Sequence, residues 1–242
     1  MKTILITGAS SGIGAAIALL YAQNGFMVFA GGRNQERLTS LSEQHSNITT
    51  FACDLTSKES IESLTLNIPA LDILLLNAGG CEYIDDALNF DGELFARVIT
   101  NNIISTGYCL DVWLKLVKPN GQLAITSSCA SFLPLPRAEA YGASKAALTY
   151  LAKTLAIDLK AHNINVSVIN PGFVQTSLTD KNTFKMPCII TAEQAAQYIF
   201  KGLSRKSSEI NFPKRFTYTL KLLSLLPSNL WKYLASKMEK GA

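Results

Sequence analysis

The chain of 242 residues is poor in histidine, with only His45 and His162, and its five cysteines (Cys53, Cys81, Cys109, Cys129 and Cys188) form no CxxC pair. Neither histidine stands at a metal-ligand spacing from a cysteine, so the usual zinc patterns are excluded and no metal is expected. The odd cysteine count argues against a disulfide framework and for reduced thiols. No run of about 20 apolar residues is present to span a bilayer. The apolar run at residues 3–7 is too short for a signal peptide, which makes the cytoplasm the expected compartment. Internal repeats, low-complexity tracts and linkers are also missing, so residues 1–242 read as one domain. Charge of one sign is scarce as well: 22 Lys and Arg against 18 Asp and Glu leave +4, scattered up to the C-terminal region. No basic stripe suited to nucleic acid results, and nucleic acid is not an expected partner.

What the chain has is apolar content, 48% of its residues, in a regular order. Short strand-like runs fall at 3–7, 27–30, 48–52, 73–76, 122–126, 165–169 and 209–212. Segments of helical period lie between most of them, at 12–24, 35–44, 57–68, 91–117 and 140–161. Continuous apolar strands separated by helices indicate parallel strands covered on both faces. The expected fold is therefore α/β: a single-domain, Rossmann-type, doubly wound parallel sheet of about seven strands with helices on both faces.

The turn and polar residues gather at the C-terminal ends of these runs, where open α/β sheets bind ligands. The first such turn reads Thr7-Gly8-Ala9-Ser10-Ser11-Gly12-Ile13-Gly14. A glycine-rich turn between a strand and a helix lets backbone approach a pyrophosphate seated at the helix N-terminus. Gly8 suits a positive φ, while Gly12 and Gly14 leave room for phosphate and for helix–strand packing. The second run ends in Ala30-Gly31-Gly32-Arg33 with no acid to take a ribose 2′-hydroxyl. Arg33 could instead fork onto a 2′-phosphate, which favours NADP(H) over NAD(H). After the third run, Asp54 could accept from an adenine amino group with Leu55 offering backbone, or Asp54 could cap the helix that follows. Asn77-Ala78-Gly79, Ser127-Ser128 and Asn170-Pro171-Gly172 end the fourth, fifth and sixth runs.

Tyr141 and Lys145 stand four apart in Tyr-Gly-Ala-Ser-Lys at the head of a helical segment. Residues at i and i+4 share a helix face, so an ammonium lies beside a phenol. A neighbouring cation favours the phenolate and should lower its pKa from about 10, which would make a general acid/base.

Taken together, these residues resemble the short-chain dehydrogenase/reductase family, over roughly residues 3–212. The glycine turn looks like TGxxxGxG, Leu76-Asn77-Ala78-Gly79 like NNAG with Leu76 for the first Asn, and Tyr141–Lys145 like YxxxK. Pro171-Gly172-Phe173-Val174-Gln175-Thr176 looks like PGxVxT. The resemblance implies hydride transfer between a nicotinamide and a carbonyl or secondary alcohol. It implies Ser128 as hydrogen-bond donor to the substrate oxygen, with Ser127 as rival, and Tyr141 as proton donor. Lys145 would tune Tyr141 and hold the nicotinamide ribose. An asparagine in the long central helix, Asn102 in preference to Asn101, would anchor a water that connects Lys145 to solvent. The cofactor set implied is Gly8, Ser10, Ser11, Gly12, Ile13, Gly14, Arg33, Asp54, Leu55, Asn77, Ala78, Gly79, Tyr141, Lys145, Pro171, Gly172, Val174 and Thr176. Family members associate through the long central helix and the Tyr-Lys helix, so a homodimer or homotetramer is expected. The alternative is a dinucleotide-binding sensor or scaffold without turnover.

Residues 177–205 read as a substrate loop followed by a helix capped at Thr191, and Phe184, Met186, Pro187 and Ile189 suggest a hydrophobic substrate. Residues 214–242 read as a basic amphipathic extension. It suits a membrane surface, its own domain, a pocket shield or a subunit interface.

Overall fold

A computed structural model describes residues 1–65, 68–180, 182 and 184–238. Leu66 and Asn67 near the end of the expected helix 57–68, Lys181 and Thr183 in the substrate loop, and Lys240 of the C-terminal basic set lie outside the described residues.

Seven strands form one sheet in which each neighbouring pair is parallel. They are β1 (Thr3–Thr7), β2 (Met27–Gly32), β3 (Ile48–Ala52), β4 (Leu71–Leu76), β5 (Val117–Thr126), β6 (Asn165–Pro171) and β7 (Glu209–Phe212). Their order across the sheet is β3-β2-β1-β4-β5-β6-β7. The chain winds outward from β1 to β3, returns to β4 on the other side of β1, and winds outward again. The reversal lies between β1 and β4, and the crevice at such a switch point is where doubly wound sheets take ligands.

Apolar residues on alternate strand positions serve opposite faces. Ile4, Ile6, Ile73 and Leu75 belong to one core, with α1 (Gly12–Gln23), α2 (Gln35–Glu43) and α7 (Ala192–Ser204) over them. Leu5, Leu74 and Leu76 belong to the other, under α3 (Lys58–Thr65), α5 (Ser105–Trp113) and α6 (Glu139–Asp158). The period of two along each strand therefore feeds two helix layers. The expected doubly wound sheet is what forms.

Most elements shift by a few residues from their expected bounds, and three of the shifts have a clear cause. β4 begins at Leu71 and β5 at Val117, because polar residues at the strand starts hide the periodicity. The expected helix 91–117 is α4 (Gly92–Ile99) and α5 joined by a π turn at Thr100–Ile104. Side chains cap the starts of α4 and α7, the latter as expected. Asp91 accepts from the Leu94 amide at 2.8 Å, and Thr191 with Gln194 closes a full capping box on α7. Beyond β7, α8 (Lys214–Leu223) and α9 (Ser228–Met238) complete the described chain. No helix among the described residues is long and apolar enough to cross a membrane.

Candidate active site

The C-terminal ends of the central strands open into a cleft of about 530 Å³. Its floor is the turn between β1 and α1. Gly8 holds φ +69° there, and a Cβ on it would stand 2.8 Å from Ala78 Cα. A Cβ on Gly14 would lie 2.2 Å from the Gly8 carbonyl oxygen, so α1 seats on β1 only through a bare α-carbon. Ser11 occupies the N-cap of α1 without a side-chain cap bond, and the first turn carries no acid. The leading amides of a 12-residue helix are thus free of protein side chains. Free helix-start amides are an anion site, so the donor set and the cradle fit a dinucleotide pyrophosphate.

Polar side chains brace the strand ends around this floor. The Asn77 and Ala78 amides donate to the Thr7 hydroxyl oxygen at 2.9 and 3.1 Å, and the Thr126 hydroxyl donates to Asn77 Oδ1 at 3.2 Å. One asparagine therefore ties β1, β4 and β5 together. Gly79 is enclosed on the protein side: a Cβ would lie 3.0 Å from Asn102 Oδ1 and 3.2 Å from Lys145 Nζ. Of the expected cofactor set, Gly8, Ser10, Ser11, Gly12, Ile13, Arg33, Asp54, Leu55, Asn77, Ala78, Gly79, Pro171, Gly172, Val174 and Thr176 line the cleft together with Tyr141 and Lys145. Asp54 does not cap α3. Its carboxylate accepts from the Thr56 amide and hydroxyl at 3.0 and 2.8 Å, while Ser57 accepts from the Ser60 amide at the helix start. Those Thr56 bonds, helped by the Arg33 charge, hold the Asp54 carboxyl below its usual range.

The two serines after β5 divide their work. The Ser127 hydroxyl donates to the Lys145 carbonyl oxygen at 2.7 Å and meets Thr149 Oγ1 at 2.7 Å, so it pins β5 to α6. Ser128 shares a hydrogen bond with the Tyr141 hydroxyl and accepts from the Ala130 amide at 3.1 Å. The geometry therefore sets Ser128, not Ser127, beside Tyr141. Lys145 is buried within the same cleft, with its ammonium donating to the Thr126 carbonyl oxygen at 3.1 Å and lying 5.7 Å from the Tyr141 ring centre.

One expectation is corrected. Lys145 was expected to lower the Tyr141 pKa, yet the phenol is pushed up. Burial is the main cause, the Cys81 thiol adds to the rise, and the Ser128 hydrogen bond pulls the other way. The reason is that the ammonium is itself desolvated. Burial brings Lys145 down from 10.5 to about 8, which weakens it as a fixed charge and turns it into a group that exchanges protons near neutral pH.

The pair Asn101 and Asn102 also separates. Asn102 is fully buried in the π turn, with Nδ2 donating to the Gly80 carbonyl oxygen at 3.0 Å and to Ser144 Oγ at 2.8 Å. Its Oδ1 accepts from the Gly80 amide at 2.7 Å. Both amide protons are thus committed to protein, so the side chain locks the loop after β4 to α6, where a water-anchoring role had been expected. Asn101 faces the cleft. π turns inside α-helices recur at functional sites, and this one aims Asn102 inward.

Sequence reasoning missed several residues here. Arg37, in the first turn of α2 and four residues after Arg33, also lines the cleft, and a second arginine so soon after Arg33 was the signal that could have found it. Cys81 pushes up the Tyr141 phenol, and Tyr141 in turn acts on Tyr83. Tyr83 also starts an aromatic row. Its ring centre is 5.8 Å from Phe184, Phe184 is 5.9 Å from Phe173, and Phe173 is 5.4 Å from Phe216. Phe184 belongs to the substrate loop, which leaves the segment just after β6 and returns to pair with it. The Gln175 amide donates to the Ile190 carbonyl oxygen at 2.8 Å and the Ile190 amide to that of Phe173 at 3.1 Å.

A glycine-floored nucleotide cleft with serine, tyrosine and lysine at one end defines a class of oxidoreductase, and comparison with known proteins agrees. The family model for short chain dehydrogenase matches residues 2–186. An uncharacterized oxidoreductase of Myxococcus xanthus is 31% identical over 247 residues, covering 98% of this chain and 97% of its own. A 3-oxoacyl-[acyl-carrier-protein] reductase of Rickettsia felis is 36% identical over 185 residues, covering 74% of this chain and 76% of its own. Among solved structures, a serine dehydrogenase complexed with NADP+ superposes with a TM-score of 0.78 at 25% identity, covering 87% of this chain and 94% of that one. The chain belongs to the short chain dehydrogenase family, and its activity class is that of an NAD(P)-dependent dehydrogenase or reductase.

Proposed function

We propose that the chain reduces a carbonyl, or oxidises the matching secondary alcohol, on an apolar substrate with NADP(H) as the redox partner. The observation that carries this reading is the convergence of Ser128, Tyr141 and Lys145 at one end of the cleft whose floor is the glycine turn. The nicotinamide, when bound, supplies or accepts the hydride. The protein moves the proton. Ser128 donates a hydrogen bond to the substrate oxygen, and Tyr141 passes its own proton to that oxygen as charge builds there. The raised pKa of Tyr141 keeps the phenol protonated and ready to donate in the reductive direction. Lys145, titrating at about 8, returns a proton to the phenol. Asn102 is a positioning residue: it holds Gly80 and Ser144 so that the wall between Gly79 and Lys145 stays fixed.

Arg33 and Arg37 support the phosphorylated cofactor. Guanidinium groups fork onto phosphate oxygens, and the end of β2 offers no acid to a bare ribose. The apolar substrate is supported by the aromatic row from Tyr83 to Phe216, to which the substrate loop contributes Phe184. The 3-oxoacyl-[acyl-carrier-protein] reductase among the relatives and a 3beta-hydroxysteroid dehydrogenase of Mediterraneibacter gnavus, 32% identical over 205 residues, fit the same preference. Exposed Tyr150 and Ile157, seven apart on α6, support a homo-oligomer built through that helix. A sensor without turnover has no use for the serine–tyrosine–lysine set and is not favoured.

The test is Tyr141→Phe, assayed by NADPH oxidation across a panel of aldehydes and ketones. Turnover is expected to fall by about 10²–10⁴-fold, the range general acid catalysis supplies, while NADPH fluorescence still reports binding. Full activity in that variant removes Tyr141 from the chemistry.

A further inference from the structure

The helices α8 and α9 are apolar on two sides. The inner sides are packed. Leu220 and Trp231 are buried with Cys129 and Leu133, and the Trp231 indole N–H donates to the Pro134 carbonyl oxygen at 2.8 Å. The outer sides carry a second set that this core does not use. Tyr218 and Leu222, four apart on α8, and Leu225 in the turn just after it are 56%, 69% and 80% exposed. Leu230, Tyr233 and Leu234 stand at i, i+3 and i+4 on α9 and are 45%, 58% and 37% exposed. Side chains at these spacings share one helix face. A short segment that leaves two apolar stripes in water marks an interaction surface.

Charge on this segment is nearly all of one sign. Residues 214–242 contain Lys214, Arg215, Lys221, Lys232, Lys237 and Lys240 against a single acid, Glu239. Lys221 pairs with Glu209, and Lys214, Arg215, Lys232 and Lys237 make no ion pair among the described residues. A symmetric contact between two copies would set this surface against its own image, an excess of cations facing an excess of cations. A bilayer surface that contains anionic lipid meets both features, drawing the lysines to its headgroups and the leucines and tyrosines to its acyl boundary.

We propose that the α8–α9 segment docks the protein on an anionic lipid bilayer. The inference rests on the outer faces of these helices and stands whether or not the proposed reaction is right. The test is co-sedimentation of the full chain with phosphatidylcholine vesicles, with and without phosphatidylglycerol. The protein is expected to pellet only with the anionic vesicles and to be released as salt rises. Lys232→Glu with Lys237→Glu, and separately Leu222→Gln with Leu225→Gln, are each expected to lower the bound fraction at least about tenfold, with thermal unfolding by circular dichroism unchanged. The salt series on the unaltered chain keeps the test valid should a variant fold poorly. Three results would overturn the proposal: no pelleting with anionic vesicles, binding indifferent to lipid charge and salt, or a dimer in sedimentation velocity that the same substitutions dissolve.

Discussion

At the residue scale, Lys145 is held against its own charge. Its ammonium is buried with one carbonyl oxygen in hydrogen-bond reach, and its pKa falls from 10.5 to about 8. A base whose pKa drops on folding is a burden to the native state while both states are charged. The unfolded chain binds the extra proton between about pH 8 and 10.5, so stability from this group rises with pH across that window. A shift of this size corresponds to roughly 3 kcal/mol at pH 7. The Tyr141 and Cys129 acids are shifted upward by burial and act in the opposite direction at alkaline pH, but they are common to parent and variant. Lys145→Met should therefore gain stability relative to the parent at pH 7, and the gap should narrow by roughly 2 kcal/mol by pH 10. Urea midpoints at the two pH values measure this, and a gap that ignores pH would show that the ammonium is not desolvated. Arg33 gives a second residue-scale expectation. Arg33→Ala should raise KM for NADPH about 10–100-fold, the worth of hydrogen bonds to a charged group, and leave KM for NADH within about twofold of the parent. Equal effects on both cofactors would place the side chain away from the 2′-phosphate.

At the element scale, packing rather than propensity decides what a substitution does. Gly14 and Gly107 both sit in helices, yet a Cβ on Gly14 would stand 2.2 Å from a backbone oxygen and one on Gly107 would meet nothing within 4 Å. Gly107→Ala should stabilise by up to about 1 kcal/mol through helix propensity. Gly14→Ala should destabilise by about 1–3 kcal/mol or more, because α1 must lift from β1. Thermal melts of the two single variants check the contrast, and equal shifts would contradict the seating of α1. The same distinction explains what was legible in the chain. Apolar runs announced all seven strands, and the motifs at their ends announced the cleft, because both are local patterns. The π turn at Asn102 was not legible, since one inserted residue per turn leaves no mark on a short periodicity. The choice between Ser127 and Ser128 needed the third dimension: adjacent residues on a strand end face opposite ways, and only the packing of α6 says which way leads to Tyr141. The direction of the Tyr141 shift was missed for a related reason. Spacing shows that a cation is near but not that it is as buried as the phenol.

At the scale of the whole molecule, the doubly wound sheet and the C-terminal pair of helices are held by different means. The sheet is fastened by two continuous cores and by hydrogen bonds along every strand pair. By contrast, α9 reaches the rest of the protein through a small cluster in which Trp231 is, among the residues whose burial is described, the one buried residue of α9. Trp231 also supplies the indole bond to Pro134, in the segment that begins just after Ser128. Removing the ring deletes both the packing and the bond, a loss of about 3–5 kcal/mol for a buried tryptophan. Local openings of this kind need not spread through the domain. Trp231→Ala should therefore free residues 228–238 while leaving the sheet intact. Hydrogen exchange should accelerate by at least about tenfold in α9, with β1, β4 and β5 protected as before. Loss of protection in the central strands as well would mean that the C-terminal helices are part of the folding unit rather than a layer fastened onto it.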